Sequence, residues 1–364
     1  MSAAARIRNN VQRLESPARI PAVDLARGIA LLGMLVAHLM IVSRFTWSDP
    51  QSWDGVVDGR SSILFATLAG VSLALVAGSA TPPSGYLRRL FCSRALLIWV
   101  LGAVLATLSV PLHIILPAYG ILLLVGTWLL RFSTPVLIAV AAAAAVLGPV
   151  IVAAVGRINP LGPVASELLY RYTGWHYPFA MWLAFIAAGV VAGRMLLERQ
   201  VRAALVLTAV GAVLATIGYG VLGPVAGTTR IRALSLLNDV PHESGIGEAV
   251  GSGGFALAVL GLCVLLCATP VRWLLWPLRA VGSMPLTAYT AHVLSWWVWI
   301  QFQPGIIGIT FDPLWDFQAV NPLWPSIITL LIGCSLWALL IGRGPLEMGL
   351  GRTAIAMASR DHSR

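Results

Sequence analysis

The sequence contains no lysine and few charged residues of any kind. All 24 of its basic residues are arginine, and charged residues make up only 10% of the 364, against 58% that are hydrophobic. A soluble globular domain carries about 25% charged residues, so this composition excludes one. The lack of lysine also excludes a P-loop in the glycine-rich stretch HESGIGEAVGSGG, because that site needs a lysine to contact phosphate.

Cysteine is scarce as well, and its positions exclude a disulfide framework. The cysteines all fall in or beside apolar segments: Cys92, Cys263, Cys267 and Cys334. Cysteines in such segments are typical of small helix-packing residues. We therefore expect free thiols and no metal site.

The chain is instead divided into apolar runs of about 18 to 25 residues, the length that crosses a bilayer as a helix. These runs predict an all-α, polytopic integral membrane protein, a bundle of about ten transmembrane helices. The predicted spans are residues 20–44, 60–80, 91–112, 114–130, 134–156, 177–195, 203–223, 250–268, 280–301 and 323–342.

The distribution of arginine predicts the orientation, because cytoplasmic loops collect positive charge. With a cytoplasmic N-terminus and ten spans, 18 arginines lie inside and six outside, whereas nine of the 14 acidic residues lie outside. Both termini are therefore expected in the cytoplasm: residues 1–19 as a basic N-terminal segment and residues 343–364 as a C-terminal tail. The excess of arginine fits anionic membrane lipids, and we expect no nucleic acid partner.

The first predicted span carries two ionisable residues on one face. Arg27 and His38 are eleven residues apart, which on an α-helix is three turns plus roughly 20°, or about 16 Å along the axis. Ionisable side chains are costly in a bilayer and usually face a cavity, a partner or a substrate path. The alternatives are a snorkelling Arg27 paired with Asp24, and a His38 that only hydrogen-bonds to a neighbouring helix.

Polar residues at two other places are candidates for contact with a ligand. Asp54, Asp58 and Arg60 lie at the outer entrance to the second span, where they either bind a polar substrate or anchor the chain at the interface. His113 and Tyr119 flank a proline-rich break between the third and fourth spans, and irregular backbone at membrane depth is tolerated where it lines a cavity.

The ninth predicted span holds a further polar pair. Tyr289 and His292 share a helix face, and Pro285 should bend the helix below them. A hydrogen-bonded network between helices is the alternative to a functional role. His176 and His242 fall in outer loops, where we interpret them as surface residues.

Several stretches resemble a known family. DLARGIALLGMLVAH and SWDGVVDGRSSILFATLAGVSLAL resemble the start of bacterial proteins related to heparan-α-glucosaminide N-acetyltransferase, in the wider superfamily of transmembrane acyltransferases. Arg94, YGILLL at 119–124 and GSMPLTAYTAH at 282–292 are further matches. The spacing of Arg27 and His38 is also similar to that of bacterial membrane O-acyltransferases. There the resemblance implies an arginine that helps to hold acyl-CoA and a histidine that takes part in transfer.

The chain departs from the family pattern at one position. The resemblance implies a catalytic histidine in the outer loop, three residues before a tryptophan, but the residue at that distance from Trp53 is Pro50. We therefore assign catalysis to His38, with His292 in reserve, and acyl-CoA binding to Arg27 and Arg94.

The resemblance implies an enzyme of residues 20–342 in the plasma membrane. It would move an acyl group, in the first instance acetyl, from cytosolic acyl-CoA to a hydroxyl or amine of a cell-envelope glycan or glycolipid. Acyl-CoA is the expected co-substrate, and no tightly bound cofactor is expected. The protein could form a homodimer rather than a monomer. A small-molecule transporter or lipid flippase is the competing hypothesis, and a non-catalytic scaffold is a third.

The arginine asymmetry gives a first testable prediction. A cysteine replacing Ser235 should react with a membrane-impermeant maleimide on intact cells, because the loop around it is expected outside. A cysteine replacing Gln200 should react only after permeabilisation. Labelling of position 200 but not 235 on intact cells would reverse the orientation.

Overall fold

The computed structural model of the protein describes residues 2–16, 19–46, 49–78, 82–158, 163–198, 200–228, 231, 234–302 and 312–359. These residues form helices and connecting loops, with no β-strand among them. The α-helices are α1 Ala3–Leu14, α2 Pro21–Leu39, α3 Arg60–Ala77, α4 Gly85–Ala106, α5 Leu116–Leu129, α6 Thr134–Ile158, α7 Pro163–Thr173, α8 Phe179–Glu198, α9 Gln200–Ile217, α10 Gly223–Thr228, α11 Ile246–Cys267, α12 Val271–Leu274, α13 Trp276–Ser283, α14 Pro285–Phe302, α15 Pro313–Ala319, α16 Leu323–Leu340 and α17 Pro345–Ser359. Short 3-10 helices cover Pro50–Val57 and Leu234–Leu237, and a π-helical turn covers Gly218–Leu222.

Each of the ten predicted spans contains an α-helix, and the prediction of an all-α, polytopic membrane protein is confirmed. Eight helical segments in the described part of the chain are long and apolar enough to cross a membrane. The predicted spans 114–130 and 280–301 are the two that fall short. Helix α5 has only 14 residues, and α14 has 18 residues but carries tyrosine, threonine and histidine side chains. Both helices carry residues of the candidate site described below.

The predicted ninth span is broken at Met284, which separates α13 from α14. Its φ of −136° and ψ of 56° lie outside the helical region, and Pro285 then begins α14, as its fixed φ and missing N–H favour. Glu347 of α17 accepts hydrogen bonds from the backbone N–H groups of Leu286 (2.7 Å) and Thr287 (3.1 Å). The bend predicted from Pro285 is therefore present, and α17 caps the helix that follows it.

Close helix packing holds α2 and α3 in place. Small residues recur at every fourth position of α3, a pattern that predicts close approach of another helix where lipid gives no hydrophobic driving force. Gly70 of α3 lies directly against Gly189 of α8, and Gly28 of α2 lies against Gly282 of α13. A side chain at these positions would meet backbone atoms of the facing helix, so the glycines permit both contacts.

Both segments outside the predicted membrane domain are packed against it. In α1, Asn10 donates a hydrogen bond to the carbonyl of Leu339 (2.8 Å), and Glu15 pairs with the buried Arg279 at 2.6 Å. Helix α17 packs against α4 and α14. The domain limits at residues 19 and 342 stay predictions, but helices on either side of them contribute to one bundle.

Candidate active site

Helix α2 carries polar side chains to two chambers near its opposite ends. The chamber near its N-terminus has a volume of about 330 Å³. We call it the arginine chamber, and its polar lining residues are Arg27, Ser72, Arg94, Tyr119, Ser283 and Glu347. The chamber near its C-terminus has a volume of about 540 Å³. We call it the histidine chamber, and its imidazole, aromatic and amide lining residues are His38, His113, Tyr170, Trp175, His176, Tyr177, His242 and Gln318.

Arg27 points into the bundle, where its side chain is 22% exposed. One guanidinium nitrogen lies 3.2 Å from a carboxylate oxygen of Asp24, and the other donates to the hydroxyl of Ser72 at 2.5 Å. The buried Asp24 also accepts hydrogen bonds from Arg19 at 2.5 and 2.9 Å. The predicted pair with Asp24 is therefore present, and its effect is to orient Arg27 toward the chamber rather than toward the membrane surface.

Two polar groups in the arginine chamber have no hydrogen-bond partner among the described residues. Arg94 makes no hydrogen bond or ion pair with a described residue. Tyr119 is 4% exposed, and its hydroxyl has no hydrogen-bond partner in the described part of the chain. Because unpaired polar groups are costly in an apolar environment, both groups are suited to a ligand that carries an anion and a hydrogen-bond acceptor.

The two histidines considered for catalysis are in direct contact. Nδ1 of His38 lies 3.1 Å from Nε2 of His292, and the imidazole planes are 6° from parallel with centroids 5.4 Å apart. One ring therefore donates its N–H to the other. The remaining nitrogens, Nε2 of His38 and Nδ1 of His292, make no hydrogen bond with a described residue. The pair can accept a proton at one free nitrogen and share it across the contact.

Four of the six histidines in the sequence line the histidine chamber. The rings of His113 and His176 are in contact, with centroids 3.5 Å apart. Burial lowers the pKa of His176 to about 4 and also lowers that of His113, so both imidazoles are neutral at pH 7. Neutral imidazoles beside Tyr170 and Trp175 offer hydrogen bonds and apolar ring faces to a polar, uncharged group.

A tightly held loop brings His242 to this chamber. The backbone N–H groups of His242 and Ser244 donate to the buried carboxylate of Glu248 at 2.8 and 2.7 Å, and both residues have positive φ values (65° and 57°). Nε2 of His242 lies 3.4 Å from Asp58. Packing lowers the pKa of His242, but the contact with Asp58 and the charge of Glu248 more than offset this effect, so the pKa lies above its ordinary value.

The remaining outer candidates have structural contacts. Asp54 accepts a hydrogen bond from the backbone N–H of Gly55 (2.8 Å). Arg60 is 4% exposed, donates to the hydroxyl of Tyr219 at 2.8 Å and lies over the rings of Tyr219 and Phe45. Neither Asp54 nor Arg60 lines the histidine chamber. These contacts fit an anchor for the loop more directly than a contact with a ligand.

Aromatic residues line the arginine chamber and pack at the start of α5. Phe65 and Tyr119 form part of the wall of the arginine chamber, with ring centroids 5.1 Å apart. Tyr289, which the sequence places among the pore-lining candidates, is 3% exposed and its hydroxyl accepts a hydrogen bond from the backbone N–H of Ile115 (3.3 Å). Tyr289 lines neither chamber and helps to fix the start of α5.

Sequence analysis missed several residues of these chambers. His176 and His242 retain exposed area, as expected of surface residues, yet both line the histidine chamber. The clustering of histidines in predicted outer loops and outer span ends is the signal that could have found them. Ser72 and Glu347 gave no such signal, because a span serine is ordinary and residue 347 lies in the predicted tail. Among the described residues, no group of three or more His, Cys, Asp or Glu side chains is placed to hold a metal ion.

The fold and the two chambers define a multi-pass membrane protein with a polar site that reaches toward both ends of its bundle. The family described as "Heparan-alpha-glucosaminide N-acetyltransferase, catalytic" matches residues 19–222. This match covers more than half of the chain, and the chain belongs to that family of membrane acetyltransferases. The match includes α2 to α9 and ends before the loop of His242 and before α14. Comparison with curated proteins gave no match.

The contact between His242 and Asp58 gives a prediction about pH. Because the folded-state pKa of His242 is raised, its contribution to stability is present below the unfolded pKa of about 6.5 and is lost as pH rises through the folded value. Asp58→Asn should therefore lower the unfolding temperature of the detergent-solubilised protein at pH 5.5 to 6.5, and less so above pH 8.5.

Glu243→Gln is the matched control for this measurement, since Glu243 is an exposed acid next to His242 with no ion pair to a described residue. An equal loss of unfolding temperature at all pH values, or the same profile in Glu243→Gln, would contradict the assignment of the raised pKa to Asp58.

Proposed function

We propose that the protein transfers an acyl group, in the first instance acetyl, from cytosolic acyl-CoA to a hydroxyl or amine of an extracytoplasmic sugar or glycolipid at the plasma membrane. The observation that carries this proposal is the placement of Arg27 and His38 on one helix but in two chambers. A donor that arrives at one end of α2 and an acceptor that arrives at the other can then meet within the bundle. Membership in an acetyltransferase family supports acetyl as the group transferred.

The arginine chamber suits the donor. Coenzyme A carries several phosphates, and guanidinium groups bind phosphate through paired hydrogen bonds. Arg94 is free for such a contact, and Arg27 is held at the chamber by Asp24 and Ser72. The rest of the chamber lining is largely apolar, which fits the pantetheine arm and its thioester. The predicted orientation places this chamber toward the cytoplasm, where acyl-CoA is made.

The histidine pair supplies the acid–base chemistry. The acceptor O–H or N–H gives its proton to a free imidazole nitrogen while its oxygen or nitrogen bonds to the thioester carbonyl carbon. The carbon–sulfur bond then breaks, and coenzyme A leaves as a thiolate that takes up a proton. The 3.1 Å contact between His38 and His292 lets the pair share the proton received. In the alternative route, His38 attacks the thioester itself and an acyl-histidine then reacts with the acceptor.

Tyr119 lines the arginine chamber, from which the thioester would move toward His38. Arg27 and His38 are separated by about 16 Å along α2, a distance that the long pantetheine arm is suited to cover. The Tyr119 hydroxyl can donate a hydrogen bond to the thioester oxygen and so stabilise the charge that develops there. We expect the wall formed by Phe65 and Tyr119 to move when the donor binds, so that the thioester can reach His38.

A transporter or lipid flippase is the second candidate. Chambers near both ends of one helix, together with the break at Met284, also suit alternating access. The two functions differ in covalent outcome: a transporter moves its ligand unchanged, whereas the enzyme leaves labelled acetyl bonded to an acceptor. The assay below therefore decides between them.

Replacing His38 tests the chemistry. His38→Ala should remain folded and still bind acetyl-CoA, but it should transfer labelled acetyl at least about a hundredfold more slowly, the size expected when a general acid–base group is lost. Turnover of wild type and variant is compared at equal folded amounts, with His362→Ala in the predicted C-terminal tail as the control histidine. Undiminished turnover in His38→Ala would remove this residue from the chemistry and make His292 the next to replace.

Replacing Arg27 tests the donor site. Arg27→Lys keeps the charge but loses the planar fork that contacts Asp24 and Ser72 together, so it should weaken acetyl-CoA binding. Binding is measured as protection against thermal unfolding, because a ligand of the folded state stabilises it by mass action. The prediction is wrong if acetyl-CoA protects wild type and Arg27→Lys equally against thermal unfolding and Arg27→Ala loses only expression. Arg27 would then be a purely structural residue.

A further inference from the structure

A third cavity reaches the histidine pair from the side of the bundle. It is a groove of about 500 Å³ between α14 and α16, and we call it the lateral groove. Its lining runs along α14 from Met284 to Ser295 and along α16 from Pro325 to Trp337. Helix α16 is the least buried of the eight candidate spans. The groove therefore faces the bilayer rather than either aqueous side.

His292 forms part of the floor of this groove. The residue is only 6% exposed, and its Nε2 is occupied by the contact with His38. Its Nδ1 makes no hydrogen bond with a described residue. The histidine pair thus separates two cavities, with His38 lining the histidine chamber and His292 lining the lateral groove.

The two halves of the lateral groove differ in polarity. The half nearer the C-terminus of α14 contains His292, Ser295, Ser326 and Thr329. The hydroxyls of Ser326 and Thr329 make no hydrogen bond with a described residue. Several hydroxyls in the other spans pair with the preceding turn, as the Thr67 hydroxyl does with the carbonyl of Ile63. A polar group that enters this half would find unused hydrogen-bonding partners.

The other half of the lateral groove is apolar and open. It is lined by Ala288, Gly333 and Cys334, and the one threonine there, Thr287, is bonded to Glu347. A Cβ added at Gly333 would meet no heavy atom within 4 Å. Small residues along two helices leave a strip of free space parallel to the spans, which matches an alkyl chain.

We infer that the acceptor is a lipid-anchored molecule that reaches His292 sideways from the bilayer through the lateral groove. Its polar head, with the hydroxyl or amine to be acylated, lies against His292, Ser326 and Thr329, and its alkyl chain lies past Gly333. With the predicted orientation, this arrangement matches a lipid of the outer leaflet, whose head lies outward of its chain. The inference rests on the proposed function and narrows its acceptor to lipid-linked compounds.

Blocking the lateral groove tests this inference. Gly333→Phe places a large side chain in the groove at a position where an added Cβ meets no heavy atom within 4 Å, and Gly333→Leu is a smaller second variant. Leu336→Phe is the matched control, because Leu336 is 51% exposed on the same helix and does not line the groove. Membranes containing each full-length protein are incubated with labelled acetyl-CoA and then separated into organic and aqueous extracts. Membranes without the protein give the background.

The expected result is acetyl label in the organic extract with wild type and Leu336→Phe, and at least about a tenfold loss with Gly333→Phe. Protection against thermal unfolding by acetyl-CoA should be unchanged in all variants, and Gly333→Leu replaces Gly333→Phe if the larger side chain prevents folding. Label only in the aqueous extract, or undiminished organic label in the blocked variants, would overturn the inference while leaving the transferase intact. Absence of any transferred label with wild type would instead overturn the proposed function, and this inference with it.

Discussion

The carboxylate of Asp24 is the interaction on which the site depends. It is buried, and it accepts hydrogen bonds from both Arg19 and Arg27. An arginine within a membrane helix is costly unless it is paired, and an unpaired Arg27 would extend toward the headgroups. The shared carboxylate instead holds Arg27 against Ser72 and leaves it at the chamber wall. One buried acid thus directs an arginine near a span end into the bundle.

The fixed position of α2 also determines where His38 lies at the other end of the helix. Gly28 lies against Gly282 of α13, so α2 cannot rotate without moving a neighbouring backbone. The helix repeat then places His38 on the face of Arg27, about 16 Å away. The break at Met284 begins α14 at a position from which His292 meets His38. The positions of both chambers therefore depend on the same helix contacts.

The sequence predicted the helices well and the convergence of their side chains poorly. Span lengths and proline positions are local signals, so ten helices and the bend at Pro285 followed from them. The face shared by Arg27 and His38 is also local, because it depends only on the helix repeat. The meeting of His38 with His292 depends on how α2 and α14 pack, 254 residues apart in the chain. The periodicity of hydrophobic residues along a helix does not predict a contact between two distant helices.

Helix α17 could not be predicted as part of the site either, because its contact with α14 also depends on how the helices pack. Helix α17 contributes Glu347, whose carboxylate accepts hydrogen bonds from N–H groups at the start of α14. These groups have no partner within α14 itself, because the first N–H groups of a helix never do. A second observation follows from this contact: Glu347 both caps α14 and lines the arginine chamber. Donor binding beside Glu347 would act on the start of α14, and α14 carries His292. The helix break thus connects the arginine chamber to the histidine pair through a single capped helix.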